Sequence, residues 1–396
     1  MTTRYAAIVI GCGGLGSAAL YSLARQLDRP VLGLEQFELG HSRGGSQDHS
    51  RIIRLAQHEQ AYAALAPAAY TAWEQVEAES RQQLLLKTGG LIIEDEAARD
   101  PARTGKRNIN GYIEAFEQFG FDYEQLDAAA LMQRWPQFRL QGHERALYQQ
   151  DTGIVDAGKA NATHLALARA HGAEIIAPCP VTALEPLADG CTVVAGEQRY
   201  IADHVIVAGG AWTNPLLAPL LGAELPLTVT QEQVTYYATP NLADFSPDRF
   251  PVFMWHGTDN YYGFPIYGEV ATKLGQHMGG PAVTADTRNF EADPIRQARY
   301  RQFLETYIPG FVGPELYTKT CLYTVPPDQN FIIDRLPNQP RVSVAVGAGH
   351  AYKFASLIGH ILADLAIRGG TDHPIESFGL QRRALSDPAF PKAFHQ

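Results

Sequence analysis

The stretch "AAIVIGCGGLGSAALYSLARQLDRPVLGLEQF", residues 6–37, decides the fold of this chain. It opens with an apolar run that predicts a buried strand, and Gly11, Gly13 and Gly16 follow with the spacing G-x-G-x-x-G. After a short turn, a second apolar run ends at Glu35. Between the two runs, apolar residues recur at helical spacing: Leu15, Ala19, Leu20, Leu23 and Leu27. The pattern predicts the β–α–β unit of a nucleotide-binding domain.

Each residue of this motif has a physical task in a dinucleotide site. Gly11 permits the tight turn, Gly13 lets the backbone approach a pyrophosphate, and Gly16 lets helix and strand pack closely. The N-terminus of the helix supplies N–H donors to the phosphates. Glu35 follows Gly16 by 19 residues, where an acid receives the ribose hydroxyls. The motif alone does not separate NAD from FAD, although Glu35 disfavours the 2′-phosphate of NADP.

Two further strand–glycine–helix patterns lie far from the first one, at residues 202–221 and 341–370. Between residues 224 and 323 the sequence is dominated by β-like runs and aromatic residues, which predicts a sheet that carries a substrate pocket. NAD dehydrogenases usually complete their nucleotide domain in one block. The return of nucleotide-domain elements at the end of the chain therefore favours FAD.

We predict an α/β (α+β) protein in which a Rossmann-like FAD-binding domain is interleaved with an antiparallel-sheet substrate domain. The FAD-binding parts are residues 1–87, 151–222 and 321–396, and the substrate parts are residues 88–150 and 223–320. Local patterns add a helix from about Tyr62 to Val76, a strand near Gly89, and a hairpin or small sheet from "AEIIAPCPVTALEP" and "CTVVA". The final helix should bury Phe354, Leu357, Ile358, Ile361, Leu362 and Leu365.

Composition excludes several classes of partner. The formal net charge of -10 argues against nucleic acid or an anionic membrane surface, and no apolar run approaches the length that spans a bilayer. No secretory segment precedes the first strand, so the cytoplasm is the expected location. The cysteines have no metal-like spacing, and we predict no metal site. From the residues alone, each cysteine is read as a small buried hydrophobe.

Several separated segments resemble the family of monomeric sarcosine oxidase and N-methyltryptophan oxidase. They are "SRIIRLA" at residues 50–56, "YYGFP" at 261–265, "KLGQH" at 273–277, "CLYTVPPDQNFIID" at 321–334 and "GHAYKFAS" at 349–356, besides the N-terminal motif. The resemblance implies a monomeric FAD enzyme that oxidises secondary amino acids, such as N-methyl amino acids, and reduces O2 to hydrogen peroxide.

The resemblance also implies how the flavin is held. Cys321 matches the cysteine that forms a thioether with the 8α-methyl group of FAD in this family. The turn "GAGH", which contains Gly349, would aim backbone N–H groups and a helix N-terminus at the flavin pyrimidine. Cys179 and Cys191 are still interpreted as buried hydrophobic residues. Cys12 is interpreted as a small residue in the glycine loop.

The same resemblance assigns the charged residues. Arg54 and Lys353 match the pair that holds the substrate carboxylate, and Arg51 matches an arginine close to the flavin. From the residues alone, both arginines could instead be surface charges. They point to opposite faces if "RIIR" is a strand and sit together if it is helical.

Lys273 matches the lysine beside the flavin where O2 is reduced, and there a fixed positive charge would stabilise a superoxide-like anion. Taken without the resemblance, Lys273 would be read as an exposed lysine on an edge strand. The resemblance places Tyr262, Tyr323, His277 and His350 near the substrate amine and the flavin, in positioning and electrostatic roles. Each tyrosine could equally be ordinary filling of a β-sheet.

Two segments depart from the family pattern. "GHAYKF" stands where Gly-His-Gly-Phe-Lys-Phe is usual, which introduces Ala351 and Tyr352. "GGSQDHS", residues 44–50, replaces Gly-Ser-His-His-Gly-Asp-Thr, and Gln47 takes the place of a histidine that supports the flavin-side arginine. The side chain of the preferred amino acid therefore stays open between glycine-like, tryptophan-like, cyclic and glycated substrates.

Other functions remain alternatives at this point. A related dehydrogenase would pass electrons to a quinone or a protein, and Lys273 argues against it. Two hypotheses are left: a flavin-binding scaffold without turnover, and an NAD dehydrogenase.

Overall fold

The computed structural model describes residues 4–98 and 108–392. Its strands are β1 (Arg4–Ile10), β2 (Val31–Leu34), β3 (Arg51–Ile53), β4 (Leu85–Lys87), β5 (Gly90–Asp95), β6 (Glu124–Asp127), β7 (Glu144–Gln149), β8 (Gly153–Val155), β9 (Glu174–Ile176), β10 (Ala183–Leu187), β11 (Gly190–Ala195), β12 (Gln198–Val207), β13 (Thr228–Tyr237), β14 (Val252–His256), β15 (Asn260–Phe264), β16 (Thr272–Gln276), β17 (Ala282–Val283), β18 (Glu315–Val325), β19 (Ile332–Leu336) and β20 (Gln339–Val346). Its α-helices are α1 (Gly14–Gln26), α2 (Gln60–Ser80), α3 (Ile109–Phe119), α4 (Ala128–Arg134), α5 (Ala157–Ala170), α6 (Thr213–Leu221), α7 (Pro294–Tyr307), α8 (Ala355–Ile367) and α9 (Arg383–Ser386).

The first sheet is the nucleotide-binding layer. Its parallel strands run in the order β20–β12–β1–β2–β9, and β10, β11 and β19 extend it in antiparallel fashion. Parallel strands of this kind are buried on both faces, and β1 and β2 are accordingly almost wholly apolar. Helices α1, α5 and α8 pack together on one face. The carboxyl ends of β1, β2, β12 and β20 consequently meet at one edge, where ligands bind in such sheets.

The second sheet is mixed and mostly antiparallel. Its strands follow the order β17–β13–β16–β15–β14–β5–β7–β6, and β18 pairs with β13 along most of its length. β14 and β5 are its parallel pair. One face is packed by a cluster of aromatic rings that includes Phe245, Phe250, Phe253, Tyr300 and Phe311. Edge-to-face contacts between these rings hold this face of the sheet in a fixed arrangement.

A third, small sheet has the strand order β3–β8–β4, with both neighbours antiparallel to β8. β3 carries Arg51, and the segment 44–50 leads into it. Its strands are only three residues long, so the backbone hydrogen bonds of β8 to both neighbours are what fix the direction of β3.

The predicted fold class is confirmed, and several local predictions hold. The β–α–β unit, the Ala-rich helix and both later strand–turn–helix units are present. All six apolar residues named for the final helix are buried. The hairpin prediction was partly wrong, because β9 joins the parallel sheet beside β2 while β10 and β11 form the hairpin. The division into five segments stays a prediction; its last boundary, between residues 320 and 321, lies inside β18.

Helix α7 was not predicted within the region of β-like runs. Asp293 caps its N-terminus, and Pro294 occupies the first turn, which are ordinary start signals. Its buried face begins with Arg296 and continues with Tyr300, Phe303 and Leu304. Because a charged residue opens the buried stripe, the apolar periodicity that reveals a helix is interrupted.

Within the described residues, no helix combines the length and the apolar character needed to cross a bilayer.

Candidate active site

The glycine loop between β1 and α1 has the geometry of a dinucleotide turn. Gly11 has a φ of +88°, and a Cβ at this position would lie 2.6 Å from the carbonyl oxygen of Ala208. A Cβ at Gly16 would lie 1.7 Å from the carbonyl oxygen of Gly11, so only glycine lets α1 approach the strand this closely. Ser46 lies against the loop, and its Oγ accepts a hydrogen bond of 2.8 Å from the N–H of Gly14.

Glu35 lies directly after β2, at the same edge of the sheet as the glycine loop. Its carboxylate accepts hydrogen bonds from the N–H groups of Cys12, at 2.8 Å, and Phe37, at 3.1 Å. Burial opposes ionisation of Glu35, but the hydrogen bond from His41 and those two N–H groups outweigh it and lower the pKa of Glu35. The Glu35 carboxylate is therefore an ionised hydrogen-bond acceptor that is held in place at the end of β2.

One large cavity of about 820 Å³ runs along this edge of the parallel sheet and between the two large sheets. Twelve of the predicted site residues line it: Gly11, Gly13, Glu35, Arg51, Arg54, Tyr262, His277, Cys321, Tyr323, Gly349, His350 and Lys353. Gly16 lies beneath the loop, and Lys273 lies behind the cavity wall. Residues from all parts of the described chain thus meet around a single space, whose volume is within the range of small-molecule and cofactor sites.

Cys321 lies in β18, directly opposite Glu232 of β13. Burial raises the pKa of the Cys321 thiol to about 11, and the positive charges of Arg51 and Lys273 act in the opposite direction. Cys12 and Cys179 also line the cavity, but their backbone N–H groups bond to Glu35. Cys321 is therefore the cavity cysteine on which Arg51 and Lys273 act, although Glu232 and Asp48 oppose them.

Arg51 is held by backbone carbonyl groups rather than by a histidine. In β3 its guanidinium donates hydrogen bonds to the carbonyl oxygens of Gly45, Gln47 and Ser50, at 3.1, 2.6 and 3.0 Å. The Gln47 side chain turns away and donates to the carbonyl oxygen of Thr320. The Arg51 guanidinium also lies 6.0 Å from the centre of the Tyr352 ring. The loss of a histidine at position 47 thus leaves Arg51 fixed by other means.

Arg54 follows β3, three residues after Arg51, and the two side chains have different surroundings. Its guanidinium lies 5.6 Å from the centre of the Tyr112 ring and donates to the Tyr112 hydroxyl at 3.4 Å. It also donates to the carbonyl oxygen of Ala56. Lys353, in the turn before α8, donates to the carbonyl oxygen of His350 at 2.6 Å. Both cations line the cavity, so neither is a plain surface charge.

Lys273 belongs to a buried cluster of charges that the sequence did not reveal. Its Nζ lies 2.6 Å from a carboxylate oxygen of Asp48 and donates to Ser50 at two oxygens, at 3.0 and 3.1 Å. Lys319 and Arg51 also approach this carboxylate, at 3.3 and 3.6 Å. Burial lowers the pKa of Lys273 to about 8, although Asp48 raises it. The reading of Lys273 as an exposed lysine is wrong, since its side chain is 2% exposed.

The aromatic residues of the predicted site pack against glycines and one another. Tyr323 is so close to Gly349 that a Cβ there would lie 2.2 Å from its ring. His277 and Tyr323 have ring centres 5.9 Å apart. Burial raises the pKa of Tyr262 and of Tyr323, so both phenols are neutral hydrogen-bonding groups. His350 Nε2 lies 3.1 Å from the carbonyl oxygen of Gln329.

Sequence reasoning missed four polar residues of this region: Asp48, Tyr112, His256 and Lys319. The Tyr112 hydroxyl links Arg54 to His256, whose Nε2 lies 3.4 Å away, and His256 Nδ1 lies 3.2 Å from Asn260. Asp48 occupied a position where the usual family segment has glycine, and that exchange was a visible signal. Tyr112, His256 and Lys319 gave no such signal, because only the tertiary structure brings their helices and strands to the site. Among the described residues, no group of three or more His, Cys, Asp or Glu side chains could hold a metal ion.

Comparisons with known proteins agree with this geometry. A family model described as FAD dependent oxidoreductase (DAO) matches residues 6–365 of the chain. Monomeric sarcosine oxidase of Bacillus sp. (strain NS-129) is 32% identical over 394 residues, which cover 98% of this chain and 100% of the relative. N-methyl-L-tryptophan oxidase of Citrobacter koseri is 31% identical over 385 residues, covering 96% of this chain and 99% of the relative.

Solved structures give the same picture. The open form of NikD, described as an unusual amino acid oxidase essential for nikkomycin biosynthesis, superposes with a TM-score of 0.83. The two sequences are 27% identical, and the match covers 96% of this chain and 98% of that one.

Proposed function

Because the chain belongs to the family of FAD dependent oxidoreductases, we propose that it is an oxidase of N-methyl or other secondary amino acids. The observation that carries this proposal is the single cavity. Its wall holds both the glycine loop with Glu35, which suits the ADP part of FAD, and the cations Arg54 and Lys353, which suit the carboxylate of an amino acid. We also expect a monomer, as the names of the sarcosine oxidase relatives state for those proteins.

The residues present fit FAD. The loop lines the cavity with bare backbone, and a Cβ at Gly13 would lie 2.9 Å from Ser46 Oγ, so a side chain there would displace Ser46 and alter the loop that would receive the pyrophosphate. The carboxylate of Glu35 has room for about four hydrogen bonds. Three of these sites are taken, two by backbone N–H groups and one by His41, and the remaining capacity can receive a ribose hydroxyl.

The substrate would be oriented by its carboxylate. Arg54 uses Nη1 for its bonds to Ala56 and Tyr112, so its other N–H groups can grip a carboxylate while those bonds hold the guanidinium plane. Lys353 adds a second positive charge from the turn between β20 and α8. Bound FAD supplies the chemistry of accepting a hydride equivalent from the amine C–N bond and passing the electrons to O2, which gives an imine and hydrogen peroxide.

The remaining residues would exclude water and set the electrostatics. Tyr262 and Tyr323 are neutral phenols beside Arg51, and His277 and His350 complete the wall around the place for the amine. None of them has to be a strong base, because the neutral amine can release hydride directly. Their role in this proposal is to bind and orient.

We further propose that Cys321 is joined to the flavin by a thioether to the 8α carbon. Forming this bond removes one hydrogen from the thiol and one from the methyl group, and the oxidant is O2, reached through the flavin. Arg51 and Lys273 would favour the thiolate at this position against the cost of burial.

The function is tested by an aerobic assay of the purified protein with a panel of N-methyl, cyclic and glycated amino acids. We expect hydrogen peroxide and consumption of O2 with at least one N-substituted amino acid, and bleaching of the flavin by the same compound without air. Reduction of a dye acceptor without peroxide would favour a dehydrogenase instead. No bleaching by any member of the panel would contradict the proposal.

Arg54→Met should raise KM for the amino acid about 10- to 150-fold, because a lost hydrogen bond to a charged group costs about 1.5–3 kcal/mol. The value of kcat should change less, since the carboxylate is bound alike before and during the reaction. Steady-state peroxide assays measure both constants. Arg134→Met is the matched control, because Arg134 also lies over a tyrosine ring, that of Tyr148, but does not line the cavity. An unchanged KM in Arg54→Met would remove Arg54 from the carboxylate site.

A further inference from the structure

Asp48 is an unusual residue for its place in the chain. Its φ is +97°, a backbone conformation that glycine adopts readily and other residues rarely do. The family segment that this region resembles has glycine at that position. An aspartate that keeps this conformation bears a conformational cost. Its side-chain interactions are what offset that cost.

Those interactions place the carboxylate at the centre of the buried charge cluster. One oxygen is 2.6 Å from Lys273 Nζ, and the other accepts a hydrogen bond of 2.5 Å from the Tyr236 hydroxyl and lies 3.3 Å from Lys319 Nζ. The side chains of Asp48 and Lys273 are 3% and 2% exposed. Water therefore screens this ion pair very little.

The charges around Lys273 come from every element packed against it. Arg51 of β3 and Lys319 of β18 are cationic, while Asp48 in the segment before β3 is anionic. The rings of Tyr236 and Phe264 lie 5.6 and 4.7 Å from Nζ, and Cys321 contributes through its thiol. In the next layer, Glu269 pairs with His49 and accepts a hydrogen bond from Tyr317. Within this described environment, Asp48 is the acid that contacts Lys273 directly.

We propose that Asp48 is a positioning residue that keeps Lys273 protonated and fixed in direction, so that reduction of O2 continues at neutral and mildly alkaline pH. This inference rests on the proposed oxidase function and on the role that the family resemblance implies for Lys273, which is to provide the positive charge for O2 reduction. Without the carboxylate, a lysine buried beside Arg51 and away from water would lose its proton near neutral pH. The charge that stabilises a superoxide-like anion would then be absent.

The sign of the pH effect follows from the direction of these interactions. Lys273 already has a lowered pKa, of about 8, with Asp48 in place. Removal of an opposite charge at this distance lowers a lysine pKa further, by about one to three units. The protonated fraction of Lys273 then falls at pH 7.5 and is restored as the pH is lowered. A purely structural defect would not recover in this way.

The experiment uses the flavin-loaded enzyme, reduced by dithionite and mixed with O2 in a stopped-flow instrument, so that no substrate amine takes part. For Asp48→Asn we expect the second-order rate of reoxidation to be about threefold or more below wild type near pH 7.5, because a pKa lowered from about 8 by one to three units leaves at most about a quarter of Lys273 protonated. The ratio of variant to wild type should rise steadily as the pH is lowered to about 5.5. Asp48→Gly is the second variant, because glycine suits this backbone conformation and the variant should fold even if Asp48→Asn does not. It should give the same pH-dependent ratio.

Two control variants separate the possible outcomes. Asp203→Asn removes a carboxylate that pairs with Arg4 and Arg29, none of which lines the cavity, and its ratio to wild type should not vary with pH. A ratio for Asp48→Asn that is constant across the pH range would overturn the inference, provided that Lys273→Met reoxidises slowly. If Lys273→Met instead reoxidises as fast as wild type, the proposed role of Lys273 fails, and this inference fails with it.

Discussion

Cys321→Ser is expected to abolish retention of flavin by the denatured protein. Acid precipitation of the wild-type enzyme should leave a yellow pellet, whereas the flavin of Cys321→Ser should move completely into the supernatant. The physical reason is that serine has the size of cysteine but a far less nucleophilic side chain, so the cavity can still bind FAD and no bond forms to the 8α carbon. The intact mass of the wild-type chain should exceed the calculated value by that of one attached FAD.

Cys179→Ser is the matched control for this experiment. Cys179 also lines the cavity, but its N–H donates to the carbonyl oxygen of Glu35 at 2.6 Å, at the nucleotide part of the wall. Its flavin should stay in the pellet as in the wild type. Retention of pellet colour by Cys321→Ser, or a colourless wild-type pellet, would show that Cys321 is not the point of attachment.

The nucleotide half of the molecule was predictable from sequence because its signals are local. The spacing of Gly11, Gly13 and Gly16 after an apolar run reflects backbone approach within a few residues, and the structure has the turn, the helix and Glu35 in the expected order. The buried face of α8 was predicted for the same reason, since its period is that of a helix. The signals for these elements therefore lie within short stretches of sequence.

The charge cluster was not predictable in the same way. The sequence separates Asp48 from Lys273 by 225 positions. The pairing of β13, β16 and β18 brings Tyr236, Lys273 and Lys319 together, and Asp48 reaches them from the segment before β3. The positive φ of Asp48 cannot be inferred from the residue type, because aspartate adopts it rarely. Resemblance to a family located Lys273, but it could not reveal which carboxylate this chain places beside it.

Lys273→Met should slow reoxidation of the reduced flavin by O2 about 10²- to 10³-fold, which is the usual effect of removing one fixed group that stabilises developing negative charge. Methionine has nearly the volume of lysine, and Asp48 would keep Tyr236, Lys319 and Arg51 as partners, so the fold should persist. Flavin reduction by the amino acid should change less, because in the proposed function the substrate carboxylate is held by Arg54 and Lys353, which line the cavity, and not by Lys273. Stopped-flow measurement of the two half-reactions separates these effects.

Lys319→Met tests whether reoxidation depends on a positive charge at the position of Lys273 or on any positive charge near Asp48. Lys319 approaches the same carboxylate, at 3.3 Å, but its side chain is 33% exposed, whereas that of Lys273 is 2% exposed. Solvent screens an exposed charge far more effectively than a buried one, so Lys319→Met should slow reoxidation by much less than Lys273→Met. Equal losses in the two variants would mean that O2 responds to the summed field of the cluster. The specific role proposed for Lys273 would then be wrong, even though the enzyme would remain an oxidase.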